Sequence, residues 1–336
     1  MDIKIAKEKI LITGGAGFIG SNFANINQDK YDITVLDNLL MGDPANIYDH
    51  NKVCFLEGDA CQLSDLKKCG NHFDYVIHLA GTSTAPLFGG DGIVDGYVNS
   101  VKSFVQTIEF ARKAGAKKFL YASTSSIYGN NPVPLTEDQR VTPPNHYAVT
   151  KALYENCTRC YYKVYPEMET IGFRFMSIYG PNEEAKGPFA NIISQFIWDI
   201  VRGKAPIIYG DGSQYRDFTN VIDVVQGLTR TIGSEKKLCN DVFNIGTGEY
   251  ASLNDILVII NEELEKRGKT GIKAEYIPNP VKEGYVQSQH ADISKIKNAL
   301  GFEPTVKLRE GIAKQITELK MEKIRKTSSD LFREKK

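Results

Sequence analysis

Charge imbalance is the first thing this sequence lacks. Its 41 Lys and Arg residues are matched by 41 Asp and Glu, so the formal net charge is zero. That balance gives no reason to expect nucleic acid or an anionic membrane surface as a partner. Long hydrophobic runs are missing too. "ILVII" at 256–260 is among the longest, far short of the roughly 20 residues of a membrane span. The opening segment, "MDIKIAKEKILITGG", has no apolar core followed by a small-residue cleavage site, so a cytoplasmic location is expected. Cysteine is sparse and scattered: Cys54, Cys61, Cys69, Cys157, Cys160 and Cys239. In a chain of this size these read as free thiols. Cys157 and Cys160 form a C-x-x-C inside a helical pattern, with no second pair nearby to complete the roughly four ligands of zinc. Helix packing is their expected role, and no metal is expected. Repeats and low-complexity tracts are also absent.

What is present is an ordinary globular composition, with 42% apolar and 24% charged residues in a chain of 336. Such a length suggests one large domain or two closely linked ones. Short apolar runs recur between turn residues: "KILIT" (9–13), "ITVLD" (33–37), "VCFLEGD" (53–59), "YVIHLAG" (75–81), "KFLYAS" (118–123) and "TIGFRFMSIYG" (170–180). Amphipathic segments such as 98–115 lie between them. Continuously apolar strands alternating with helices predict an α/β fold, a Rossmann-type doubly wound parallel sheet covered on both faces. This domain is expected over 1–180, with a strand near 241–246 returning to it. A smaller α+β substrate region is expected over 181–320, where Ser252 and Asp255 resemble a capping box. The remainder, 321–336, reads as a charged tail, solvated or frayed.

"ITGGAGFIGSNF" (12–23) places Gly14, Gly17 and Gly20 between the first strand and a helix. Glycines there allow a tight turn and let backbone amides approach a pyrophosphate at the helix N-terminus. Asp37 ends the second strand in "TVLDN". A carboxylate at that point accepts hydrogen bonds from ribose hydroxyls and repels a 2′-phosphate. The following "NLLMGDPAN" offers no Arg or Lys to receive one, which favours NAD over NADP. Asp59, ending the third strand, is placed to meet the adenine amino group or simply to cap a loop. Further along, "HYAVTK" sets Tyr147 and Lys151 four apart, on one helix face. An ammonium near a phenol favours phenolate, which suits proton exchange near neutral pH.

With these pieces goes "STSSIYG" at 123–129, crowded with hydroxyls. Together, "TGGAGFIG", "LDNL", "EGDA", "HLAG", "STSSIYG", "YAVTK", "FRFMSIYGP", "YRDF" and "FNIGTG", in that order over about 8–315, resemble the extended short-chain dehydrogenase/reductases, the NAD-dependent nucleotide-sugar epimerases and dehydratases. The resemblance implies that Thr124 hydrogen-bonds the sugar hydroxyl that becomes a ketone, with Tyr147 as base or acid. Lys151 would hold the ribose and Ser123 would pack beside the cofactor. Leu79, Ala80 and Gly81 would line the NAD cleft and Asn99 would lie toward the nicotinamide. Phe18, Ile19, Asn38 and Ala60 complete the implied cofactor set.

Two absences narrow the reaction. Dehydratases of this family carry an Asp–Glu pair directly after the threonine, and the sugar-acid decarboxylases tend to carry a Glu at the second position. Here both are serine, Ser125 and Ser126. Elimination therefore lacks its carboxylates, and epimerisation with recycled NAD remains. The resemblance assigns the substrate diphosphate to Arg216 and implies contacts from Ser83, Ser177, Lys186, Asn191 and Gln289. Ser177 stands where the family often has Asn, and "PVKEGYVQSQHAD" (280–292) offers Lys282, Tyr285 and Gln289 in place of a second arginine. A UDP-hexose 4-epimerase of the UDP-glucose/UDP-galactose type is expected, working as a homodimer on a UDP-sugar. Heptose-type or glucuronate epimerases and 4-reductases are the alternatives, and a non-catalytic dinucleotide sensor is a more distant one.

Overall fold

The computed structural model describes residues 6–279 and 285–334. The chain enters through β1 (Lys9–Thr13), α1 (Phe18–Asn27), β2 (Asp32–Asp37), β3 (Val53–Glu57), α2 (Leu63–Lys68) and β4 (Tyr75–His78). α3 (Gly92–Lys113), β5 (Lys118–Thr124), α4 (His146–Val164), β6 (Glu169–Phe175) and β7 (Ser177–Tyr179) follow. Strands β1 to β6 join a later strand, β11 (Val242–Ile245), in one seven-stranded sheet of order β11-β6-β5-β4-β1-β2-β3. β1 pairs in parallel with β2 on one side and with β4 on the other. The centre of the first run is continuously apolar, and Ile10, Leu11 and Ile12 are all fully buried, as a sheet covered on both faces requires.

The chain packs as two compact units. The first holds the described residues up to Ser123 together with His146–Phe173 and Leu228–Val242. Its core sets Leu11, Val76, Phe104, Phe119, Tyr121 and Tyr154 together, and the Phe104 and Tyr154 rings stack at 3.9 Å. The second holds Thr124–Asn145, Arg174–Gly227 and the described residues from Phe243 onward. Here lie α5 (Ile192–Val201), β8 (Ile207–Tyr209), β9 (Tyr215–Arg216), β10 (Phe218–Asn220) and most of α6 (Val221–Ile232). They are followed by β12 (Ala251–Ser252), α7 (Leu253–Glu265), β13 (Glu275–Ile277), α8 (Ser294–Leu300), α9 (Leu308–Thr317) and α10 (Ser328–Glu334). Their core includes Phe196, the lone Trp198, Ile256 and Ile260. The capping box is present: Ser252 accepts from the Asp255 amide, and the Asp255 carboxylate accepts from the Ser252 amide.

Two local readings change. The apolar run 170–180 is two strands, not one. At Met176 the amide still reaches the Ile245 carbonyl, but at Ser177 it turns to Asp217. β7 then pairs with β10 in a separate two-stranded sheet. Hydrophobicity alone carries no mark of that change of partner. Among its described residues the tail is likewise not frayed. Ser329 and Asp330 are buried at 3% and 6% exposure, because Arg202 and Lys204 neutralise the Asp330 carboxylate at 2.9 and 2.5 Å.

Candidate active site

In a doubly wound sheet, ligands bind outside the carboxyl ends of the strands where the order reverses, here at β1 and β4. Gly14 follows β1 at φ +73°, and a Cβ there would stand 2.6 Å from the Ala80 nitrogen and 2.7 Å from the Leu79 carbonyl carbon. The glycine turn and the Leu79–Gly81 segment thus approach with no room for a side chain. Gly17 caps α1 through its backbone, with no side-chain cap over the helix start that carries Phe18, Ile19 and Gly20. That leaves the positive end of the helix dipole suited to an anion. The buried Asp37 carboxylate accepts from the Ala16 amide at 3.0 Å and the Leu39 amide at 2.8 Å. Burial pushes its pKa up, and the amides of Leu39, Ala16 and Gly17 pull against that. Asn38 accepts from the Leu40 amide. Asp59 accepts from the Cys61 amide at 2.8 Å, fixing the turn that contains the buried Ala60. Asn99 is exposed on α3, and Ser83, also exposed, reaches the Met41 sulfur at 3.6 Å.

Tyr147 and Lys151 occupy the first turns of α4. The Lys151 Nζ stands 5.9 Å from the Tyr147 ring centre and 4.5 Å from that of Tyr154. Burial brings the Lys151 pKa down to about 7. Hydroxyls accepting from this ammonium would favour its charged form, as ribose hydroxyls can. Two neighbours escaped the sequence reading. His78 bonds through Nδ1 to Thr13 Oγ1 at 2.8 Å, and burial, then the Lys151 charge, lowers its pKa to about 3. The Ser123 hydroxyl donates to the buried Glu155 carboxylate at 2.6 Å. The signal for Glu155 was its place four residues after Lys151, on the same helix face.

The second unit gathers most of the expected substrate residues in pairs. Thr124, the last residue of β5, accepts from the Ser126 amide at 3.2 Å. Gln289 is buried and donates to Ser125 at 3.0 Å. Asn191 caps α5, accepting from the Ile193 amide at 3.0 Å, and donates to Ser177 at 3.4 Å. Lys186 pairs at 2.9 Å with Glu183, whose side chain is fully buried. The same carboxylate accepts from the Asn191 amide and from Ser194. Glu183 was therefore the organiser of this loop and went unread among its charged neighbours. The Arg216 guanidinium donates to the carbonyls of Tyr215 and Gln287 at 2.8 Å, and to that of Val286. Asp217 instead accepts from Thr247 and Gly248. Lys282 lies outside the described residues.

A reversed sheet order, a side-chain-free turn at the reversal and a strand-end carboxylate define a dinucleotide-binding protein of the doubly wound class. The chain belongs to the NAD dependent epimerase/dehydratase family, whose model matches residues 10–246. A putative UDP-glucose 4-epimerase from Methanocaldococcus jannaschii is 33% identical over 316 residues, covering 93% of this chain and 98% of its own. Among solved structures, a UDP-N-acetylglucosamine 4-epimerase from Methanobrevibacter ruminantium M1, in complex with UDP-N-acetylmuramic acid, is similar at TM-score 0.85 and 27% identity. It covers 93% of this chain and 98% of that one. A UDP-glucose 4-epimerase from Thermotoga maritima with UDP-glucose is similar at TM-score 0.83 and 28% identity, covering 92% of this chain and 97% of that one.

Proposed function

We propose that this protein is a UDP-hexose 4-epimerase of the UDP-glucose/UDP-galactose type. The observation that carries the reading is the Tyr147–Lys151 pair, with the ammonium buried 5.9 Å from the phenol ring. NAD would be held by the Gly14 turn, Asp37 and Lys151, and would supply a reversible hydride acceptor for sugar C4. Tyr147, as phenolate, accepts the C4 hydroxyl proton and gives it back after the 4-keto sugar has turned over. Lys151 favours that phenolate by its charge, and the Thr124 hydroxyl orients the reacting oxygen. Ser125 and Ser126 supply no carboxylate for elimination, so the keto sugar has only reduction open to it. Asp37 selects NAD, because no Lys or Arg follows within "NLLMGDPAN". Arg216 is assigned the diphosphate, as a guanidinium suits paired phosphate oxygens.

The assembly proposed is a homodimer through α3 and α4. Val94, Val98, Val149 and Val164 are 68%, 50%, 39% and 65% exposed on those helices, an apolar surface that a second copy would cover. Six free cysteines fit a reducing compartment such as the cytoplasm.

The test is purified protein with UDP-glucose and no added cofactor, followed by proton NMR. UDP-galactose should appear with no net change in NADH absorbance, and Tyr147→Phe should lower kcat by about 10²–10⁴-fold. A Tyr147→Phe variant with full turnover would sink the assignment of the base.

A further inference from the structure

The charged tail has no part in the chemistry above, yet several hydrogen bonds and ion pairs tie it to its unit. Asp330 accepts from Arg202 at 2.9 Å and from Lys204 at 2.5 Å. Thr327 donates to the buried Asp199 carboxylate at 2.7 Å, Ser329 accepts from the Ile207 amide at 3.2 Å, and Arg333 donates to the Ala205 carbonyl. These contacts fix α10 against the end of α5 and the segment after it.

Three links run from the tail to the 183–191 loop. Arg325 donates to the Ala185 carbonyl at 3.2 Å. Gln195 accepts from the Ser328 amide at 2.8 Å and, through its other end, donates to the Ala190 carbonyl at 2.8 Å. Gly187, at φ +51°, lies so close that a Cβ would stand 3.3 Å from the Lys326 carbonyl oxygen. Inside this loop, Glu183 collects Lys186, Ser194 and the Asn191 amide. The loop is thus held from within by one buried carboxylate and from outside by the tail.

We propose that residues 325–334 form a brace that fixes the 183–191 loop, and that the brace sets affinity for the nucleotide sugar through Lys186 and Asn191. The affinity half rests on the epimerase reading; the brace itself does not. Lys186 and Asn191 are positioned by it and the reacting atoms are not, so loosening it should act on KM and leave kcat alone.

The experiment compares the full-length wild type with Asp330→Ala and Asp330→Glu. Hydrogen exchange is followed at the amides of Lys186 and Ala190, which donate to Glu183 and Gly187 carbonyls. Buried Trp198, whose carbonyl accepts from Arg202, reports undocking by its fluorescence. In Asp330→Ala the Lys186 and Ala190 amides should exchange at least tenfold faster. KM for UDP-glucose should rise about tenfold, the effect of losing one or two ion pairs, with kcat within twofold. Asp330→Glu should restore most of both. Faster exchange within 327–334 with unchanged exchange at Lys186 and Ala190 overturns the brace. A loosened loop with unchanged KM overturns its role in affinity. Exchange needs no turnover, so a wild type inactive on every UDP-sugar would count against the epimerase reading alone, and the brace would still be decided.

Discussion

At the scale of single residues, what matters is how little space and solvent the key groups have. Lys151 holds its amine in a buried place that brings its pKa down to about 7, and His78 beside it is held neutral by burial. Gly14 is a tight constraint at the site. At φ +73° it adopts backbone that side chains rarely take, and its missing Cβ leaves room for the Ala80 amide. Gly14→Ala should therefore cost about 1–3 kcal/mol from backbone strain alone, and the displaced turn should weaken NAD binding. Urea unfolding and NAD titration check both; unchanged affinity for NAD would remove the turn from the site. The pattern of glycines and the Tyr–Lys spacing were legible in the sequence because their chemistry is local. Glu155 and Glu183 were not, since a buried carboxylate looks like a surface one until its partners are seen.

At the scale of elements, the tail shows how charge pairing can order a segment that composition marks as solvated. Burial pushes the Asp330 carboxyl up, but the Lys204 hydrogen bond, the Thr327 amide and the Arg202 and Lys204 charges outweigh it and hold its pKa well below the usual range. A carboxyl lowered in the folded state contributes stability that is fully present above its unfolded pKa, about 3.9, and is lost as pH falls below that. The gap in melting temperature between wild type and Asp330→Asn should therefore be widest near neutral pH and close as pH drops below about 4. A gap constant with pH would mean the ion pairs add nothing. The capping box at α7 was readable because it spans four consecutive residues. The break at Met176 was not, because it depends on β10, forty residues further on in round terms.

At the scale of the whole molecule, the proposed dimer turns on the apolar positions of α3 and α4. Val98→Glu combined with Val149→Glu should convert the protein to a monomer in light scattering, since a desolvated carboxylate on each helix opposes association. Both residues are already exposed, so the monomer's own fold should keep its thermal stability to within about 1 kcal/mol. An unchanged mass would move the interface elsewhere.

The sequence by itself determined the class of fold, the glycine turn, the acid that follows it and the helix with Tyr147 and Lys151. Each is written in short-range spacing, and spacing follows from backbone geometry alone. Only the tertiary structure decided which hydroxyl meets which carboxylate, where the 170–180 run changes sheets, and where the tail packs. Those outcomes depend on contacts between segments far apart in the chain, such as Asp330 with Arg202. Their energies come from burial and pairing, which exist only once the chain has folded.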